Sequence, residues 1–275
     1  MKIILAKLIG FFINCIALFN LKAAVHLAVK LFSTPLKGKH VPEGKDFLNT
    51  AFQEEVICKD VSVMTYRWLG KKDTILLVHG WESNAFRWKD LILKLILRDY
   101  NVIALDAPAH GRSGGKSFNV IDYSECIYRV AKKFNAKTVI GHSMGGMATV
   151  FFQYKYKLPY LKKIVLLGAP SNAKGIIKRY TKLMGYSNRV IKALDFYVLN
   201  RFGNTLDYFD SAQFSKDITA KGLIIHDVDD TIIPYNDALT YKSQYVNAEL
   251  ISTKNLDHSL KSEETEKHIL KFINN

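Results

Sequence analysis

Short apolar runs rich in Val, Ile and Leu alternate with longer amphipathic stretches through most of this 275-residue chain. Residues 74–78, 101–105, 138–140, 163–167, 222–226 and 248–252 read as buried strands. Between them, residues 86–98, 121–134, 145–156, the stretch from 236 and residues 262–272 carry helical periodicity. Residues 55–58 and 61–69, joined by Lys59-Asp60, read as a hairpin that adds two antiparallel edge strands. Buried runs alternating with amphipathic helices predict a mainly parallel α/β sheet covered on both faces.

Two segments depart from the alternation. Residues 171–221 keep only helical periodicity, around Ile176, Ile177, Leu183, Ile191 and Leu194, and are expected to form a helical cap inserted between two sheet strands. Residues 1–34 also read as helical, and Pro35, Gly38 and Pro42 break them from the rest of the chain. The expected division is therefore an N-terminal helical segment over 1–45 and one α/β domain over 46–275.

The N-terminal segment admits three readings. A secretory signal needs small residues at a cleavage site, and Lys22-Ala23-Ala24 is a poor one. A spanning helix needs about 20 apolar residues, whereas the uninterrupted run from Leu8 to Leu21 is shorter and contains Asn14. An amphipathic helix lying on the inner membrane surface, or packed on the protein itself, fits better, with Lys7 and Lys22 reaching the headgroups.

Composition narrows the function classes. The 48% hydrophobic and 23% charged content is that of a globular protein. A net charge of +14 attracts anions, but the lysines are spread over nearly every segment, which fits a compositional bias better than a focused phosphate-binding patch. No nucleic-acid-binding signature is present, so no nucleic-acid partner is expected. Three cysteines, Cys15, Cys58 and Cys126, have neither disulfide-framework nor metal-ligand spacing and point to a reducing, cytoplasmic compartment. Neither a metal nor an organic cofactor is expected, and the oligomeric state is left open.

The candidate chemistry centres on Gly141-His142-Ser143-Met144-Gly145, a G-x-S-x-G sequence between a buried strand and a helix. A serine on so tight a turn needs glycines beside it, and the turn lifts its hydroxyl to the carboxyl end of the strand. A serine nucleophile needs a histidine to take its proton and a carboxylate to orient that histidine. Of the histidines after Ser143, His226 ends a buried strand and reads as a packing residue, and His268 lies within a helix. His258, in the loop between the last strand and the last helix, is the candidate base. Asp227, Asp229 and Asp230 all follow the strand at 222–226, and composition does not choose among them. His79-Gly80-Trp81 follows the first parallel strand, so the backbone N–H groups of Trp81 and Met144 are the candidate oxyanion donors. His79, Asp106 and His110 are expected to support loops.

These motifs resemble the α/β-hydrolase superfamily over roughly residues 55–275. Gly141 to Gly146 is similar to the nucleophile elbow of monoacylglycerol-lipase-like and lysophospholipase-like members. His79-Gly80-Trp81 matches their oxyanion loop, and Asp106 to Ser113 resembles their D-x-P-G-H-G-x-S loop with Ala109 for a glycine. The pattern H-G-x-x-D-x-x-V-P falls on His226 to Pro234, with Asp227 for glycine, and implies Asp230 as the acid. Asp257 stands where the family usually has glycine before the histidine.

The resemblance implies an α/β-hydrolase fold with an eight-stranded, mainly parallel sheet and a helical cap. It further implies hydrolysis of a small-molecule ester or thioester through an acyl-enzyme. An acyltransferase or C–C bond hydrolase would use the same residues, and a non-catalytic binding or membrane-associated protein would have no need of all three.

Overall fold

The computed structural model describes residues 2–39 and 44–275. Its strands are β1 (Phe52–Cys58), β2 (Val61–Trp68), β3 (Lys72–Val78), β4 (Tyr100–Leu105), β5 (Ala136–His142), β6 (Lys163–Leu167), β7 (Lys221–Asp227) and β8 (Ala248–Thr253). They form one eight-stranded sheet in the order β1-β2-β4-β3-β5-β6-β7-β8. The β1–β2 and β2–β4 pairs are antiparallel and the remaining pairs parallel, as the alternation predicts. Strands β3 to β7 are buried along almost their whole length, which is why they read as continuous apolar runs.

The helices are α1 (Lys2–Phe19), α2 (Leu21–Ser33), α3 (Lys45–Leu48), α4 (Lys89–Ile96), α5 (Val120–Lys133), α6 (Met144–Tyr156), α7 (Ala173–Met184), α8 (Asn188–Phe202), α9 (Ser211–Ser215), α10 (Asn236–Gln244) and α11 (Glu263–Asn274). Leu91 and Leu95 of α4 and Ile269 and Ile273 of α11 pack with Leu77, Ile140 and Val165 on one face of the sheet. Helices α5, α6 and α10 cover the other. Side chains start several of these helices: Asn119 accepts from the Asp122 amide at α5, and Ser262 from the Thr265 amide at α11. One expected helix begins differently, because residues 85–88 form a 3-10 turn that leads into α4.

The strand order reverses at β3. From β3 the chain crosses to β4 on one side, and β5 returns to its other side. The carboxyl ends of β3 and β5 therefore flank the crevice where open α/β sheets bind ligands.

The chain divides into two compact units, Met1–Thr34 with Asn172–Asp210, and Pro35–Ser171 with Ser211–Asn275. This differs from the division expected at residue 45: the N-terminal helices group with the helical insert instead of standing apart. The reason is packing. Ile13 and Ala17 of α1, Val25 and Ala28 of α2, Met184 of α7 and Val190 of α8 share one apolar cluster, onto which Tyr197 also packs. At Gly10 a Cβ would lie 1.7 Å from the Met184 carbonyl oxygen, so only glycine lets α1 approach α7 this closely. Asn14, which interrupts the apolar run, donates to the Gly185 carbonyl (2.9 Å) and accepts from the Ser187 amide (2.9 Å).

Among the described residues no helix is long and apolar enough to cross a membrane. Pro42, part of the break read from the sequence, lies outside the described residues.

Gly10→Val is expected to push α1 off α7 and destabilise the helical unit by roughly 2 kcal/mol, as overpacking does. Limited proteolysis should then cut residues 1–34 faster than in the native chain, while an unchanged cleavage rate would show that the close approach is not required.

Candidate active site

Strand β5 runs into α6 through Ser143, whose φ of 52° is in the left-handed region. A non-glycine residue is held there at a cost of about 1–3 kcal/mol, which the surrounding bonds must offset. The Ser143 amide donates to Leu167 on β6 (2.8 Å), and its carbonyl accepts from Gly146 (2.9 Å) and Met147 (3.2 Å). The turn is so tight that a Cβ at Gly145 would lie 2.4 Å from the His79 carbonyl oxygen.

Ser143, His258 and Asp230 come together in one hydrogen-bonded chain. Ser143 Oγ lies 2.9 Å from His258 Nε2, and His258 Nδ1 lies 2.7 Å from Asp230 Oδ2. With the proton on Nδ1 the histidine donates to the carboxylate and Nε2 accepts the serine proton. Burial opposes ionisation of Asp230, but hydrogen bonds from His226 and His258 and from the Ile233 amide outweigh it and hold the carboxyl well below the usual range.

The three candidate acids occupy three different places. Asp230 is buried, and its other oxygen accepts from the Ile232 (2.8 Å) and Ile233 (2.9 Å) amides. Asp229 is exposed. Asp227, buried in the family's glycine position, accepts from Asp229 N, Thr253 Oγ1 and Leu256 N, and so ties the acid loop to the loop carrying His258. Asp257, the other departure, has a φ of 52°, a conformation that explains the family's glycine and that Asp tolerates.

The loop at His79-Gly80-Trp81 lies against the serine, since a Cβ at Gly80 would fall 2.8 Å from Ser143 Cβ. Met144 opens α6, where first-turn amides have no intrahelical acceptor. Among the described residues neither the Trp81 nor the Met144 amide has a hydrogen-bond acceptor.

Behind this loop, His79 Nε2 accepts from the Ala107 amide (2.8 Å) and Nδ1–H donates to Gly80 O (2.7 Å). Burial and the neighbouring His110 push its pKa well down, which keeps it neutral. Asp106 accepts from Tyr66 Oη, Ala85 N and Arg112 N, and His110 accepts from Glu82 N. Ala109, in the family's glycine position, has a φ of 64°.

Three residues near the site had no functional reading in the sequence. His226, read as a packing residue, is fully buried, yet its Nε2 donates to Ile233 O (2.9 Å) and lies 3.3 Å from Asp230 Oδ2. His142 Nε2 donates to the His258 carbonyl (2.8 Å), and its Nδ1 accepts from Arg87 Nη1 (2.6 Å). Arg87 Nη2 donates to Ser259 O (3.0 Å). Burial, with Arg87 and His258 close by, holds His142 well below the ordinary histidine value, which favours this neutral acceptor form. Burial lowers Arg87 to about 9, and the guanidinium remains charged near neutral pH. His142 sat in view inside the serine motif, whereas a lone arginine at a helix start carries no signal.

The family model described as the alpha/beta hydrolase family matches residues 75–243. A Drosophila melanogaster protein named "Probable serine hydrolase" is 34% identical over 102 residues, covering 34% of this chain and 30% of that protein. A monoacylglycerol lipase of Mycolicibacterium smegmatis is 30% identical over 109 residues, covering 36% of this chain and 38% of the lipase. The match thus spans under half the length of each of these relatives. The crystal structure of a bromoperoxidase from Bacillus anthracis superimposes with a TM-score of 0.64 at 16% identity, covering 82% of this chain and all of that one, a likeness of fold alone.

Arg87→Met keeps an apolar stem but strips donors from His142 and the Ser259 carbonyl. The expected loss is about 2 kcal/mol of stability, together with faster amide exchange in residues 256–261 than elsewhere in the sheet unit. Uniform exchange across the protein would remove the clamp from the account.

Proposed function

Because the chain belongs to the alpha/beta hydrolase family, we propose that it is a serine hydrolase cleaving a carboxylic ester or thioester through an acyl-enzyme. The observation that carries this reading is the continuous hydrogen-bonded chain from Ser143 Oγ through His258 to Asp230. Ser143 Oγ attacks the acyl carbon as His258 Nε2 takes its proton. Negative charge gathers on the carbonyl oxygen, where the Trp81 and Met144 amides receive it; one such donor is worth about 10²–10³ in kcat. The tetrahedral adduct then expels the alcohol or thiol, which leaves with the proton from His258. Water attacks the acyl-serine with His258 again as base, releasing the acid and restoring the serine.

Asp230 holds the histidine in the tautomer that faces Ser143, and its depressed pKa keeps it ionised throughout. Asp230 thus favours the folded state above the ordinary carboxylate range and loses that effect only as pH falls toward its own lowered value. Mild acidification therefore leaves Asp230 charged.

A fluorophosphonate, which modifies only an activated serine, is expected to label Ser143 in the native chain and nothing in Ser143→Ala. Absence of labelling in folded protein, or equal labelling of both, would sink the hydrolase reading. Product analysis with added alcohol separates hydrolysis from acyl transfer.

Asp230→Asn should leave the fold intact but lower kcat by roughly 10³–10⁴, as expected when a carboxylate no longer sets the histidine tautomer. Asp229→Asn, on an exposed side chain, should stay within about threefold of native. The reverse ranking would move the acid to Asp229 and leave the serine assignment standing.

A further inference from the structure

We propose that the exposed face of α1 is a docking surface for an anionic lipid bilayer, on which the helix lies flat. Ile4, Leu8, Phe11, Phe12, Leu18 and Phe19 recur at helical spacing along one side and are between 51% and 92% exposed. Cys15, partly accessible, lies on the same side. So long an apolar strip on one helix marks an interaction site rather than scattered surface residues.

The two sides of α1 are occupied differently. The side of α1 turned toward α2, α7 and α8 interleaves Ala6, Gly10 and Ala17 with Ile9, Ile13 and Ile16, and α2 adds Ala24 and Ala28. The three phenylalanines of α1, Phe11, Phe12 and Phe19, all point outward. An uncovered apolar face on a helix whose other side is packed is what an interfacial helix lays into the boundary between headgroups and acyl chains.

Charge selects the lipid and argues against a second copy. The helical unit, residues 1–34 and 172–210, holds eleven Lys and Arg against three Asp and no Glu, a net +8 of the chain's +14. Residues 1–34 hold no acidic residue at all. Two copies joined through this face would bring +8 against +8, whereas anionic headgroups attract it. A flat pose also fits the packing, since Gly10 and Asn14 fasten one side of α1 to α7 and the turn after it, and the 18 residues of α1 extend only about 27 Å. Helices α7 and α8 share the α1 core and are carried to the surface with it.

The test uses the full chain and sedimentation with vesicles of phosphatidylglycerol and phosphatidylcholine, or of phosphatidylcholine alone. Binding is expected to be at least about tenfold tighter to the anionic vesicles and to weaken with added salt. Since Cys58 and Cys126 are buried, a polarity-sensitive fluorophore can be placed on Cys15 and should shift to the blue on anionic vesicles. Leu8→Glu/Phe12→Glu should lose binding at least about tenfold, while Leu97→Glu, at a residue 83% exposed in the sheet unit, should bind as the native chain does.

No binding of the native chain to anionic vesicles, or undiminished binding by the double variant, overturns the proposal. So does concentration-dependent self-association that the double variant abolishes without any vesicle binding, an outcome that would assign the face to a second copy. Ser143→Ala should dock normally, so failure of docking and failure of the hydrolase reading are read separately.

Discussion

The geometry of the candidate site depends on one close approach of backbone to backbone, where the turn at Ser143 passes the end of β3. A Cβ on Gly145 would meet the Val78 carbonyl oxygen at 2.5 Å as well as that of His79. With a side chain there, α6 could not start this close to the end of β3. The left-handed conformation of Ser143 persists because neighbouring bonds over-determine it. Strain at the serine and space at the glycines are two aspects of one constraint.

The histidine side of the site is built differently, by polar groups that reach across long stretches of chain. Asp227 binds the Leu256 amide, His142 the His258 carbonyl and Arg87 the Ser259 carbonyl. All three hold main chain rather than the His258 imidazole, so the loop is positioned without engaging the ring. Arg87 does this as a cation without a carboxylate partner among the described residues, and its Nε has no hydrogen-bond partner there. Burying such a charge is unfavourable unless its donors are used. Here two of them are spent on the loop.

Much of this was legible in the sequence because it rests on local rules. Parallel strands buried on both faces must be apolar throughout, so 101–105 and 163–167 announced themselves, and the tight serine turn demanded its glycines. The hidden features depend on distance in the chain. The choice of Asp230 over Asp227 and Asp229 came from resemblance, because three carboxylates in one turn look alike until the fold exposes Asp229, turns the buried Asp227 toward Leu256 and turns the buried Asp230 toward His258. His226 looked like packing because a buried strand end says nothing of the groups across from it. Arg87 meets its partners 55 and 172 residues away.

The grouping of the N-terminal helices with the insert was hidden for a further reason. Periodicity reveals a helix's inner face only when the other face is polar, and α1 is apolar on both. Exposure, not polarity, separates its two sides: Gly10, Ile13 and Ala17 face helices, while Phe12 and Phe19 face outward. The same blindness affected charge. Along the chain, lysines look evenly scattered, yet the unit assembled from residues 1–34 and 172–210 carries more than half of the net charge in about a quarter of the residues. A linear count cannot detect such a concentration, because the fold joins two segments more than a hundred residues apart. Once they are joined, an apolar face and a basic unit belong to the same body, and the positive charge acquires a place in the structure that composition alone did not give it.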